Sequence, residues 1–85
     1  MAVRRTGAKR VSLWGLVRLA TGPTTATIEV HGRGGPWHAL TTVHTDARGY
    51  FTKPAAFVGN RQWRLVWTAP DGTIFRGTPT RAYKG

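Results

Sequence analysis

The 85-residue chain contains no cysteine. Without thiols no disulfide staples the fold and no thiolate metal site can form, and the redox compartment cannot be inferred from cysteine usage. Acids are nearly as scarce. Glu29, Asp46 and Asp71 stand against thirteen Lys and Arg, for a formal net charge of +10. Hydrolysis by paired carboxylates needs two acids at a fixed separation, and both aspartates sit in turn contexts, Asp46-Ala47-Arg48-Gly49 and Pro70-Asp71-Gly72. Ser12 is the sole serine and has neither a nucleophile elbow nor triad partners around it. The inventory reads as non-catalytic. No apolar run reaches the roughly twenty residues that span a bilayer. Residues 11–20 are apolar behind a basic stretch, as a signal peptide would be. Ser12, Gly15 and Arg18 break that run, however, and no cleavage site is clear. The run reads as a strand.

What the chain does have is aromatic bulk. A domain of this length buries only roughly 60–65% of its unfolded surface, so its core needs large side chains. Four Trp, three Phe and two Tyr are available, each able to bury about 150–250 Å².

The chain also has turns at short, regular intervals. Val11, Leu13, Gly15 and Val17 alternate with Ser12, Trp14, Leu16 and Arg18, so both faces of this segment carry apolar residues. After Thr21-Gly22-Pro23-Thr24, residues 25–31 place Ala26, Ile28 and Val30 on one face and Thr27, Glu29 and His31 on the other. Gly32-Arg33-Gly34-Gly35-Pro36 reverses the chain. Residues 37–45 form the next strand, in which Trp37, Leu40 and Val43 are spaced at odd intervals. Either both faces are partly buried there or a bulge shifts the phase near Ala39. Residues 50–57 return, with Pro54 marking an edge or an end. Trp63, Leu65 and Trp67 then share a face opposite Arg64, Val66 and Thr68. Short strands at 73–76 and 80–83 complete the pattern. The expectation is an all-β fold, a small antiparallel sandwich of about seven short strands at residues 11–85, preceded by a basic flexible arm at residues 1–10.

The residues Trp37, Leu40, Thr42-Val43, Thr45-Asp46-Ala47-Arg48-Gly49-Tyr50-Phe51, Trp63-Arg64-Leu65-Val66-Trp67 and Asp71-Gly72 resemble the immunoglobulin-like or fibronectin-III-like accessory domains of secreted bacterial proteins. The resemblance covers about residues 25–83. It implies a sandwich, a secreted or cell-surface setting, and a role as spacer, docking surface or carbohydrate-contact module, often beside a glycoside hydrolase. The strong positive charge and the basic arm depart from a plain spacer.

Two kinds of binding residue stand out. Trp14 and Trp37 are the tryptophans whose position allows exposure, and an exposed indole stacks on a sugar face or a base. Trp63 and Trp67 read as core. Arg4, Arg5, Lys9 and Arg10 form an electrostatic arm, and Arg33 lies in the glycine-rich reversal. Such cations attract polyanions with steep salt dependence and little sequence choice. That reversal lacks the following helix and the Lys-Ser/Thr pair of a phosphate loop. His31, His38 and His44 lack metal-ligand spacing, and an unbroken strand would put His38 and His44 on one face. No cofactor motif is present. Two readings follow: a non-catalytic accessory module docking to a glycan or protein surface, or a basic domain binding nucleic acid or another polyanion within a larger assembly.

Overall fold

The computed structural model describes residues 1–17, 22–32, 34–56 and 61–80. These form an all-β domain of seven strands: β1 (Ala2–Gly7), β2 (Arg10–Leu16), β3 (Thr25–Gly32), β4 (His38–His44), β5 (Tyr50–Ala56), β6 (Arg61–Thr68) and β7 (Ile74–Arg76). All pairings are antiparallel. They build a three-stranded sheet in the order β1-β2-β5 and a four-stranded sheet in the order β4-β3-β6-β7. No helix among the described residues is long and apolar enough to cross a membrane.

The core lies between the sheets and follows strand parity. From the first sheet come Val11, Leu13, Val17 and Phe51, and from the second Ala26, Ile28, Val30, Val43, Trp63 and Trp67. Trp63 is 1% exposed, and Trp67 donates its indole N–H to Thr24 Oγ1 at 3.0 Å. That bond removes the cost of burying an unpaired donor. Thr45, also buried, donates its hydroxyl to the Thr24 carbonyl and accepts from the Thr24 N–H.

The turns are built as their residues dictate. Asp46 Oδ1 accepts from the N–H groups of Arg48 and Tyr50 at 2.8 and 3.0 Å. Asp71 Oδ1 accepts from the Thr73 N–H at 2.9 Å. Each aspartate thus replaces a missing ladder bond with its own side chain. The phase shift in β4 is a bulge. Ile28 faces Thr41 and Glu29 faces Ala39, which leaves Leu40 as the extra residue, 45% exposed.

The N-terminal arm expected at residues 1–10 is a correction. Ala2–Gly7 is an edge strand paired with β2, from Ala2↔Trp14 to Gly7↔Arg10, across a two-residue turn of Ala8 and Lys9. Val3 shares the inner face with Leu13, and Met1 and Val3 pack against the core. The strand expected at 80–83 lies outside the described residues except for Thr80. Thr80 donates its N–H to the Trp63 carbonyl, and Gly77 donates to that of Leu65. The segment after β7 therefore continues along β6, interrupted at Pro79, which has no N–H to give.

Candidate functional site

Cross-strand partners share a face, so the register fixes what each sheet presents outward. On the first sheet, Leu16 lies opposite Tyr50, Trp14 opposite both Thr52 and Ala2, Ser12 opposite Pro54 and Arg4, and Arg10 opposite Ala56. Trp14 and Tyr50 are therefore diagonal neighbours, about 7–8 Å apart. Each is 48% exposed. Together with Met1, Ala2, Gly15 and Leu16 they line a shallow hollow of about 390 Å³. Gly15 faces inward opposite the core residue Phe51, where a Cβ would lie 3.1 Å from the Phe51 ring and from the Met1 backbone.

The same face is cationic from its middle, where Arg4 lies diagonal to Trp14, to its hairpin end. Arg4 and Arg10 point outward beside Ser12, and Lys9 stands at the hairpin tip, all exposed. Arg5 points to the inner side and is tied back to its own turn, donating to the carbonyls of Gly7 and Ala8 at 3.2 and 3.0 Å. The four cations singled out at the N-terminus thus divide. Arg4, Lys9 and Arg10 remain available to a ligand, and Arg5 braces the hairpin. Arg33 lies outside the described residues.

No carboxylate lies on β1, β2 or β5. Glu29 is on the opposite sheet, where its Oε1 accepts from both Nε and Nη2 of Arg64 at 2.7 Å. Asp46 and Asp71 serve the turns. Hydrogen bonding from Thr73, first from its backbone and then from its side chain, holds the Asp71 carboxyl below its usual value of 3.8.

Trp37 sits in a different setting. It is half-buried at the entrance to β4, with the Arg64 guanidinium 4.3 Å from its ring centroid and the His31 ring 4.1 Å away at 41°. Its neighbours already occupy much of its π surface. His31 in turn has Nε2 2.8 Å from Gln62 Oε1 and Nδ1 3.2 Å from the Gly35 carbonyl. The bulge at Leu40 places His44 opposite Thr25 on the outer face and His38 opposite Val30 on the inner side. The shared face expected for His38 and His44 is thereby lost. Among the described residues no cluster of three or more His, Asp or Glu could hold a metal ion.

A second hollow, about 310 Å³, opens between the sheets beside Val17, Leu65, Trp67 and Phe75. Trp67 and Phe75 stack there with centroids 5.6 Å apart. Its walls are mostly apolar, and Arg76 is the charged residue that lines it. The first-sheet face is the better site because its two rings stand half in water and share a face with Arg4 and Arg10, with Lys9 at the adjoining hairpin tip. Parity alone marked Trp14. Tyr50 was missed, and only the Leu16–Tyr50 register brings it beside Trp14.

No family model, curated protein or solved structure matches the chain.

Proposed function

We propose that this protein is a non-catalytic docking module that engages a glycan through the outer face of its first sheet. The observation that carries the reading is the pair of exposed rings, Trp14 and Tyr50, side by side on a face without a carboxylate. Half-exposed aromatic rings are costly to leave in water and well suited to the apolar face of a sugar. The strand order supports an immunoglobulin-like kinship. Taking β1 to β7 as strands A, B, C, C′, E, F and G gives ABE on one sheet and C′CFG on the other, the division found in such sandwiches. The disulfide between strands B and F in antibody domains has no counterpart here, since cysteine is absent. Such a module works beside a partner domain or on a cell surface, outside the cell.

The test is retention on insoluble polysaccharide. The unaltered chain should be retained, and Trp14→Ala with Tyr50→Ala should lose about 5- to 150-fold in affinity, each stacking contact being worth about 0.5–1.5 kcal/mol. Retention unchanged by both substitutions defeats the reading. A second reading rests on the net charge of +10 and on the hairpin cations Arg4, Lys9 and Arg10: a basic domain binding single-stranded nucleic acid. It requires a mobility shift at low salt that disappears as salt rises. Deleting residues 1–10 does not test it cleanly, because that deletion removes β1 from its sheet.

A further inference from the structure

We propose that His31 is a protonation-dependent clasp, which ties the approach to β4 onto β6 with two hydrogen bonds when the ring is charged and with one when it is neutral. It lies on the second sheet, away from the docking face, and does not rest on that reading.

Both ring nitrogens of His31 face an oxygen. Nε2 is 2.8 Å from Gln62 Oε1, and Nδ1 is 3.2 Å from the Gly35 carbonyl. That carbonyl can only accept. The Gln62 amide cannot be turned to offer a donor, because its Nε2 already donates to the Thr80 carbonyl at 2.8 Å. A neutral imidazole has one N–H, whereas the imidazolium has two. Only the charged ring therefore makes both bonds at once. The neutral ring gives one up, and the longer bond, to Gly35, is the one lost.

The register sets what the clasp joins. His31 pairs with Gln62 across β3 and β6. Gln62 reaches on to Thr80, whose N–H and hydroxyl oxygen are both bonded to the Trp63 backbone. Gly35 leads through Pro36 to Trp37, and the Trp37 ring lies 4.1 Å from that of His31. One side chain thus links β6, the chain after β7 and the approach to β4. The charged groups around it come from each neighbour. Arg64 reaches the same indole, 4.3 Å from its centroid, with its charge paired to Glu29 at 2.7 Å. Arg61 lies across Gly32 on the opposite face of β6, and His38 is on the inner side of β4. Arg33 lies outside the described residues.

Histidine ordinarily changes charge between about pH 5 and 8. The Gly35 bond exists only in the folded chain, so its contribution is whole at the acid end and lost as the pH rises through that range.

The experiment follows the Gly35 amide and the His31 ring of the full chain by 15N NMR from pH 5 to 8, with urea unfolding at both ends and far-UV circular dichroism as the folding control. The expected result is two protected ring N–H groups at pH 5 and one at pH 8, with a folding constant about 2- to 10-fold larger at pH 5. His31→Gln should remove that difference, and His38→Gln with His44→Gln should keep it. Gln62→Leu leaves a neutral ring able to donate to Gly35, so the Gly35 signal should stop responding to pH while His31 still titrates. A single protected ring N–H at pH 5, or a pH response unchanged by His31→Gln, overturns the clasp. A Gly35 response that survives Gln62→Leu overturns it too, because charge alone would then be the cause.

Discussion

Alanine at Gly49 and at Gly72, introduced one at a time, separates backbone torsion from steric contact. Both glycines close turns in the left-handed region, Gly49 bonding back to Asp46 and Gly72 to Ala69, with φ of +87° at Gly49 and +90° at Gly72. The torsional cost of an L-residue is therefore nearly the same at the two sites, about 1–2 kcal/mol. The space around them differs. A Cβ at Gly72 meets nothing within 4 Å, whereas one at Gly49 lies 2.7 Å from the Val17 carbonyl oxygen and 3.3 Å from Leu16 Cδ1. That carbonyl belongs to a tethered backbone, because Val17 donates its N–H to the Gly49 carbonyl at 2.9 Å. Relieving the overlap must part the exit of β2 from the entry of β5. It weakens that bond, worth about 0.5–1.5 kcal/mol net, and shifts Val17 within the core. The expected losses are about 1–2 kcal/mol for Gly72→Ala and about 2–4 kcal/mol for Gly49→Ala. A domain of this size has a total stability of about 4–13 kcal/mol, so the difference is a large share of it. Urea unfolding followed by tryptophan fluorescence reads both values, provided the m-value stays constant. Equal losses at the two glycines would refute the steric argument and leave torsion alone.

Three further outcomes follow from the same geometry. Trp63→Ala empties the centre of the core and should cost about 3–5 kcal/mol by urea unfolding, close to loss of the fold; Trp14→Ala, on an exposed face, should change stability by no more than about 0.5 kcal/mol. Glu29→Gln should cost at most about 1 kcal/mol, and Arg64→Ala about 1–2 kcal/mol because it also uncovers Trp37; a double-mutant cycle showing no coupling between the two would dismiss the ion pair. The Asp71 carboxyl titrates lower when folded than its ordinary 3.8, so the unfolded chain binds protons first as the pH falls. Its contribution is present above that value and lost below it, and Asp71→Asn should flatten the stability curve below about pH 4, read as unfolding midpoints across the acid range.

How much of this was legible in the residues depended on whether the signal was local. In β3 and β6 the alternation of Ala26, Ile28 and Val30 and the spacing of Trp63 and Trp67 depend only on strand period, and their burial follows it. Both aspartate turns were equally readable, since each side chain bonds its own loop. The bulge showed as an odd spacing around Ala39 and proved to centre on Leu40. β1 was not legible. Val3 is its one inward apolar residue between Arg4 and Met1, and the strand is held by pairing with β2 rather than by a pattern of its own. The expected count of seven strands agrees with the structure although the membership differs, with β1 present and residues 81–83 undescribed. Tyr50 and the cover over Trp37 were hidden for a related reason. The first needs the β2–β5 register, and the second needs the phase set by the bulge.

The edges of both sheets bear on the proposed docking face, because strand addition is the other way a sandwich meets a partner. An open edge invites strand addition unless its residues oppose it. The outer strand β5 carries Pro54, which gives no N–H, and Lys53, which shares the inner side with Leu13 and forces a charge toward any sheet that extends it. β4 is bent by its bulge. β7 has only three residues, and the chain beyond it stays on β6 through Gly77 and Thr80. β1 sets two consecutive arginines at the last edge and shifts register between Arg5 and Gly7. Each described edge thus carries its own obstacle to pairing. The first-sheet face carries none: its largest side chains are two rings left half in water and two unpaired arginines. The proposed docking through stacking and charge therefore does not compete with backbone pairing, and the register of β2 with both of its neighbours is what sets those side chains on one face.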